Sequence, residues 1–169
     1  LMGGFGRGHA DVTLHPAPDG ADGLHATAHV PIKVLEDRWT FVPLLPAGSV
    51  ILGASVNGAA VELVSTPSGL FWGTNKSGSY KVELRYSIQL PKGRKAASVV
   101  IPLPPSSGAK FLAELPGFAS RITLSPATDV RVTPHGDGVT VEAQISASPS
   151  VLLSYQAPSE GLIISRASY

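Results

Sequence analysis

The chain has 169 residues, of which 43% are hydrophobic and 15% are charged, so it is long enough to bury a core without metal or disulfide support. Its 13 basic and 12 acidic residues nearly cancel, which argues against a nucleic-acid partner. It contains no cysteine, which excludes disulfides, thiolate catalysis and cysteine-ligated zinc. No segment reaches the ~20 apolar residues of a membrane span, so we expect no span within the chain.

The first predicted element is a linker. Residues 1–9 contain four glycines and no apolar run. They resemble neither a phosphate-binding loop nor a dinucleotide fingerprint, because no strand precedes them and no helix follows. We predict a flexible Gly-rich linker over 1–9 and a single β-sandwich domain over 10–169. Because Leu1 precedes Met2, we expect the chain to come from a longer protein.

Alternation of apolar and polar residues predicts the main strands. From Tyr80 to Leu90 every second residue is apolar, which is typical of a strand with one buried and one wet face. The same period marks 24–34 and 139–146. Short apolar stretches between Gly and Pro residues predict the remaining strands, at 10–15, 38–44, 49–56, 60–64, 70–73, 97–103, 110–115, 121–125, 129–133, 150–155 and 161–165.

Turn residues agree with this pattern. Asn57-Gly58 predicts a two-residue hairpin, because both residues tolerate positive φ. Gly136-Asp137-Gly138 predicts a second hairpin, and the basic run 92–95 predicts a solvated loop. Strands with one apolar face must pair into two sheets or a barrel. We therefore predict an all-β fold, a β-sandwich of many short, mainly antiparallel strands, either immunoglobulin-like or a larger two-unit sandwich.

Two Pro-flanked apolar runs, 42–46 and 101–105, recur 59 residues apart. Their recurrence predicts, as an alternative to one unbroken sandwich, two similar β units at about 24–90 and 82–155, and both interpretations stay open. Because Pro has no backbone N–H to donate to a neighbouring strand, we expect these runs to lie at sheet edges and to end strand pairing there. The alternative is an exposed apolar ridge that docks onto a partner.

No catalytic or metal-binding pattern stands out. His25 and His29 lie four residues apart on one predicted strand, roughly 13 Å, and cannot share a metal ion. His135-Gly136-Asp137 is better explained as a hairpin turn than as part of a catalytic site. Neither Gly-x-Ser-x-Gly nor His-Glu-x-x-His occurs. We predict no catalytic residue, no metal site and no cofactor, and expect that the domain is not an enzyme.

The aromatic residues give one candidate ligand surface. Phe71 and Trp72 are adjacent on a predicted strand, so one ring must point away from the core. Trp39 and Phe41 share a face and are predicted to lie in the core. The predicted ligand-binding surface, of the kind that stacks on sugar rings, comprises Trp72, Asn75 and Lys76.

About residues 24–155 resemble the periplasmic β-rich regions of uncharacterised bacterial inner-membrane proteins. The resemblance is carried by two strands joined through Asn57-Gly58, by the segment 78–86 and by the two Pro-flanked runs. The resemblance implies a non-catalytic, periplasmic or extracellular interaction or scaffolding domain. Its partner would be another protein, or another domain of the same envelope protein. Similar patterns of strands and turns occur in sugar-binding accessory modules, which leaves carbohydrate binding as the alternative. They also occur in the N-terminal β domains of gluzincin aminopeptidases, whose chemistry lies elsewhere in the chain.

Overall fold

The computed structural model describes residues 4–18, 23–90, 96–116, 120–136 and 138–156. Within these ranges every helix or strand is a strand. The strand predicted at 161–165 and the loop predicted at 92–95 lie outside the described residues. The strands are β1 (Phe5–Arg7), β2 (Ala10–Pro16), β3 (Gly23–Val34), β4 (Thr40–Leu45), β5 (Val50–Val56), β6 (Ala59–Ala60), β7 (Val64–Thr66), β8 (Gly69–Thr74), β9 (Gly78–Gln89), β10 (Ala96–Pro102), β11 (Gly108–Pro116), β12 (Ser120–Ser125), β13 (Thr128–His135), β14 (Gly138–Ser146) and β15 (Ser150–Gln156).

The described strands form one large and two small sheets. The large sheet has nine strands in the order β13-β14-β11-β2-β3-β9-β5-β6, with β1 also paired to β3. One small sheet, the β4 sheet, has the order β4-β8-β7, and the other, the β10 sheet, has the order β10-β15-β12. Among these pairs β11 and β2 run parallel and the others antiparallel, in line with the predicted mainly antiparallel strands.

Both small sheets pack on the same face of the large sheet. Tyr80 and Tyr86 lie on one face of β9, because they are separated by an even number of residues. Tyr80 packs edge-to-face against Trp72 of the β4 sheet, with ring centroids 4.9 Å apart. Tyr86 donates a 2.6 Å hydrogen bond to the carbonyl of Pro102, in the β10 sheet. One buried cluster draws on all three sheets, and the predicted β-sandwich is confirmed.

The linker prediction is wrong for Phe5–Arg7, which forms β1 along the edge of β3. Backbone pairing holds this segment, since the amide of Gly8 also donates to the carbonyl of Pro31 at 2.9 Å. A Cβ on Gly8 would lie 2.6 Å from the ring of Pro31. Gly8 therefore permits the close approach of these two segments. From composition alone, the glycines of this segment predicted a flexible linker.

The hairpin predicted at Asn57-Gly58 is confirmed. Both residues have positive φ, 51° and 83°, and they join β5 to β6 as a two-residue turn. The Asn57 side chain accepts a 2.8 Å hydrogen bond from the amide of Lys81. The strand predicted at 60–64 is wrong as one element, because the chain leaves the large sheet after β6 and enters the β4 sheet at β7.

The proposed internal repeat is matched in one pairing and not in another. A shift of 59 residues places β5 on β11 and β9 on β14, and both β5–β9 and β11–β14 are antiparallel pairs. The same shift places β4 on β10, but β4 pairs with β8 whereas β10 pairs with β15. The division into two units stays a prediction.

Candidate functional site

The outer side of the β4 sheet exposes a group of apolar side chains that we call the aromatic face. It consists of Trp39, Phe41, Val64 and Phe71. Val64 pairs directly with Phe71, so these two side chains project to the same side of the sheet. Trp39 is 55% exposed and Val64 46%, while Phe41 and Phe71 are half-buried. None of the four side chains can carry a charge.

A glycine makes room for the Phe41 ring of the aromatic face, and Trp39 stacks on that ring. Phe41 pairs with Gly73 on β8, and a Cβ on Gly73 would lie 2.6 Å from the Phe41 ring. The ring therefore occupies the space that a side chain at 73 would fill. Trp39 lies parallel to Phe41, with an angle of 11° and centroids 5.8 Å apart. The indole extends the apolar surface to the start of β4.

A polar rim borders Trp39. Thr40 pairs with Thr74, and beyond them the Asp37 carboxylate accepts hydrogen bonds of 2.8 Å from both the amide and the hydroxyl of Ser77. Trp39 lies between Asp37 and Thr40 on one segment, and Asn75-Lys76 lies between Thr74 and Ser77 on the segment bonded to it. The predicted polar residues Asn75 and Lys76 are exposed on the second of these segments. The rim therefore carries carboxylate, amide and ammonium groups on the two segments that these contacts join.

The hydrogen bonds from the backbone and then the side chain of Ser77 hold the pKa of Asp37 below its ordinary value of 3.8, and Lys76 adds to this lowering. Because the folded pKa is depressed, the stabilisation is present above pH 3.8 and is lost as the pH falls through the folded pKa. We expect the Ser77 amide resonance to titrate with a midpoint below 3.8 in an NMR pH series. In Asp37→Asn the same resonance should be flat. A midpoint at or above 3.8 in the wild type would contradict the contact.

The prediction for the two tryptophans is wrong in both cases. Trp72 is only 7% exposed and faces the core, so it cannot serve as an exposed stacking ring, whereas Trp39 was assigned to the core and is exposed. The expectation that Phe71 and Trp72 point to opposite sides is correct, but Phe71 is the outward ring. The sequence did contain a signal. Trp39 follows the charged run 36–38 and shares its alternate positions with Pro43, which is exposed.

The histidines of the large sheet's outer face contact different partners. His25 meets His15 of the neighbouring strand edge-to-face at 6.0 Å, and His29 lies 3.7 Å from a Glu83 oxygen. Among the residues that the structure describes, no three His, Cys, Asp or Glu side chains come close enough together to hold a metal ion. Over the same ranges, no helix has the length and hydropathy needed to cross a bilayer.

The sequence matches no protein-family model and no curated protein. Solved structures do share the fold. An M1 zinc metallopeptidase from Deinococcus radiodurans aligns with 91% of this chain and 43% of its own, at a TM-score of 0.56 and 18% identity. Aminopeptidase A of Legionella pneumophila, in complex with aspartic acid, aligns with 90% of this chain and 21% of its own, at 0.61 and 9%. A Legionella pneumophila protein provisionally described as nutrient binding gives 0.62 and 10%, over 90% of this chain and 67% of its own.

The TM-scores of these alignments show a shared fold. The chain spans less than half the length of either peptidase. The fold of this chain therefore occurs as one part of longer enzymes.

Proposed function

We propose that the chain is a non-catalytic interaction domain of a larger protein, and that the aromatic face is where another protein or another domain of the same protein docks. The observation that carries this proposal is the face itself. Trp39 and Val64 are exposed on the outside of a sheet whose other side is already buried. Contiguous exposed apolar surface marks interaction sites, and aromatic residues are enriched at the centre of interfaces.

One observation supports the non-catalytic part of the proposal. The fold occupies only part of the longer peptidase chains, which fits a domain that assists chemistry performed elsewhere. The resemblance to periplasmic β-rich regions leads us to place the domain outside the cytoplasm, in a membrane-anchored or secreted envelope protein.

Carbohydrate binding is the second candidate, favoured by the polar rim. Sugar recognition combines an exposed ring with hydrogen-bonding groups at its edge. Trp39 supplies the ring, and the acceptors and donors come from Asp37 on the same segment and from exposed Asn75 and Lys76 on the segment bonded to it. The predicted polar residues thus keep their assigned role in this alternative, with Trp39 in place of Trp72.

Site-specific photo-crosslinking in the native cells tests the docking proposal. A photoreactive phenylalanine analogue at position 39 should crosslink to one defined site on one protein or domain, identified by mass spectrometry. Val100 is the matched control, because it is apolar, 62% exposed and lies in the β10 sheet. The same analogue at position 100 should give no such product.

Equal labelling from positions 39 and 100, or no defined product from 39, would contradict docking at the aromatic face. A glycan array distinguishes the second candidate. Retention of a glycan by the wild type, lost in Trp39→Ala and kept in Val100→Ala, would replace the docking proposal with carbohydrate binding.

A further inference from the structure

A cavity of about 420 Å³ lies where the two small sheets end. Residues 43–46, at the end of β4, form one wall, and Leu103 and Pro105, just after β10, form another. The turn 147–149 between β14 and β15 closes a third side. The two recurrent Pro-flanked runs, far apart in sequence, therefore meet at one cavity.

The lining of this cavity is apolar with a few polar groups. Leu44, Leu45 and Leu103 line the cavity and are themselves buried, so their side chains are fixed by packing in the core. Pockets of this size with mostly apolar walls and a few fixed polar groups are typical of small-molecule sites. Ser106 is also buried, and its hydroxyl accepts a hydrogen bond from the amide of Gly108 at 3.3 Å.

The charge of the lining has one sign. Of the residues that the structure describes, Arg7 of β1 is the only charged one that lines the cavity, and none of the acidic ones does. Within the described part of the chain, Arg7 forms no ion pair, since the ion pairs found there join other residues. Its guanidinium is thus available to a ligand, and guanidinium groups pair with carboxylates through two parallel hydrogen bonds.

We propose that this cavity binds a small amphiphilic monocarboxylate, with its apolar chain against Leu44, Leu45 and Leu103 and its carboxylate on Arg7. Such a ligand is either a short fatty acid or an apolar amino-acid carboxyl group, which share this chemistry. The site goes beyond the docking function proposed above and does not depend on it, because Trp39 and Phe71 do not line the cavity.

Titration of ¹⁵N-labelled protein tests the site, with octanoate and N-acetylleucine as probes for the two sources. At least one probe should shift the amides of Leu44, Leu45 and Leu103. Arg7→Gln should weaken that binding about tenfold or more, because a charge-assisted hydrogen bond is lost. Octanol, which lacks the charge, should bind the wild type as weakly as octanoate binds Arg7→Gln.

Two further variants keep the test specific. Arg131→Gln is the matched control, because Arg131 is an exposed arginine on β13 that does not line the cavity. This variant should bind the probe as tightly as the wild type does. Ala147→Trp places a large ring at the exposed side of the cavity and should abolish binding. The proposal is overturned if neither probe shifts the cavity amides, or if Arg7→Gln binds as tightly as the wild type.

Discussion

Replacing Trp72 with alanine is expected to lower the free energy of unfolding by about 3–5 kcal/mol, the range for removing a buried large aromatic side chain. The indole is 7% exposed and packs against the Tyr80 ring with centroids 4.9 Å apart. Its loss leaves a cavity between the β4 sheet and the large sheet. Urea denaturation followed by circular dichroism measures the change.

Trp39→Ala is the matched control, since it removes the same side chain from a position that is 55% exposed. Its cost should be about 1 kcal/mol or less, mainly from the lost contact with Phe41. Equal losses in the two variants, or a larger loss for Trp39→Ala, would contradict the assignment of one ring to the core and the other to the surface.

Tyr86→Phe is expected to lower the free energy of unfolding by about 1–3 kcal/mol. The Tyr86 side chain is fully buried, and its hydroxyl donates to the Pro102 carbonyl at 2.6 Å. Phenylalanine fills nearly the same volume, so the variant removes the hydrogen bond and leaves the carbonyl without this donor. The measurement is again urea denaturation at pH 7, and a change below about 0.5 kcal/mol would show that the bond contributes little.

Tyr86→Phe should also change how the free energy of unfolding depends on pH. Burial raises the pKa of Tyr86 well above its ordinary value of 10.0, because the phenolate cannot be solvated in the core. The unfolded chain ionises this group above pH 10 while the folded chain keeps it neutral, so stability falls as the pH rises above 10. Burial also raises the pKa of Tyr155, which both proteins retain.

The difference between wild type and Tyr86→Phe therefore isolates Tyr86. We expect unfolding free energies measured from pH 8 to 11 to fall more steeply for the wild type. Parallel curves for the two proteins would contradict a buried, neutral Tyr86.

Strand positions were largely predictable because strand formation here follows from local alternation. Tyr80 to Leu90 was predicted as a strand from its period of two, and β9 spans Gly78–Gln89. The hairpin at Asn57-Gly58 followed from the conformational freedom of two residues. Both features depend on neighbours in sequence, which the pattern records.

Features that depend on distant segments could not be predicted. The pairing of β2 with β11 joins residues about 100 positions apart, and no local pattern specifies it. The choice between Phe71 and Trp72 as the core ring depends on which side of β8 faces the large sheet. The cavity beside Arg7 arises only because two Pro-flanked runs, each predicted separately, end at the same place.

We propose that a partner docks at Trp39, on the aromatic face. The chain has two tryptophans, so protein labelled with 5-fluorotryptophan gives two ¹⁹F signals, one from the exposed ring and one from the buried ring. The decisive measurement is this spectrum before and after saturation with the partner recovered by crosslinking through position 39. We expect the Trp39 signal to shift or broaden while the Trp72 signal stays in place. An unchanged Trp39 signal with the partner bound would contradict the claim.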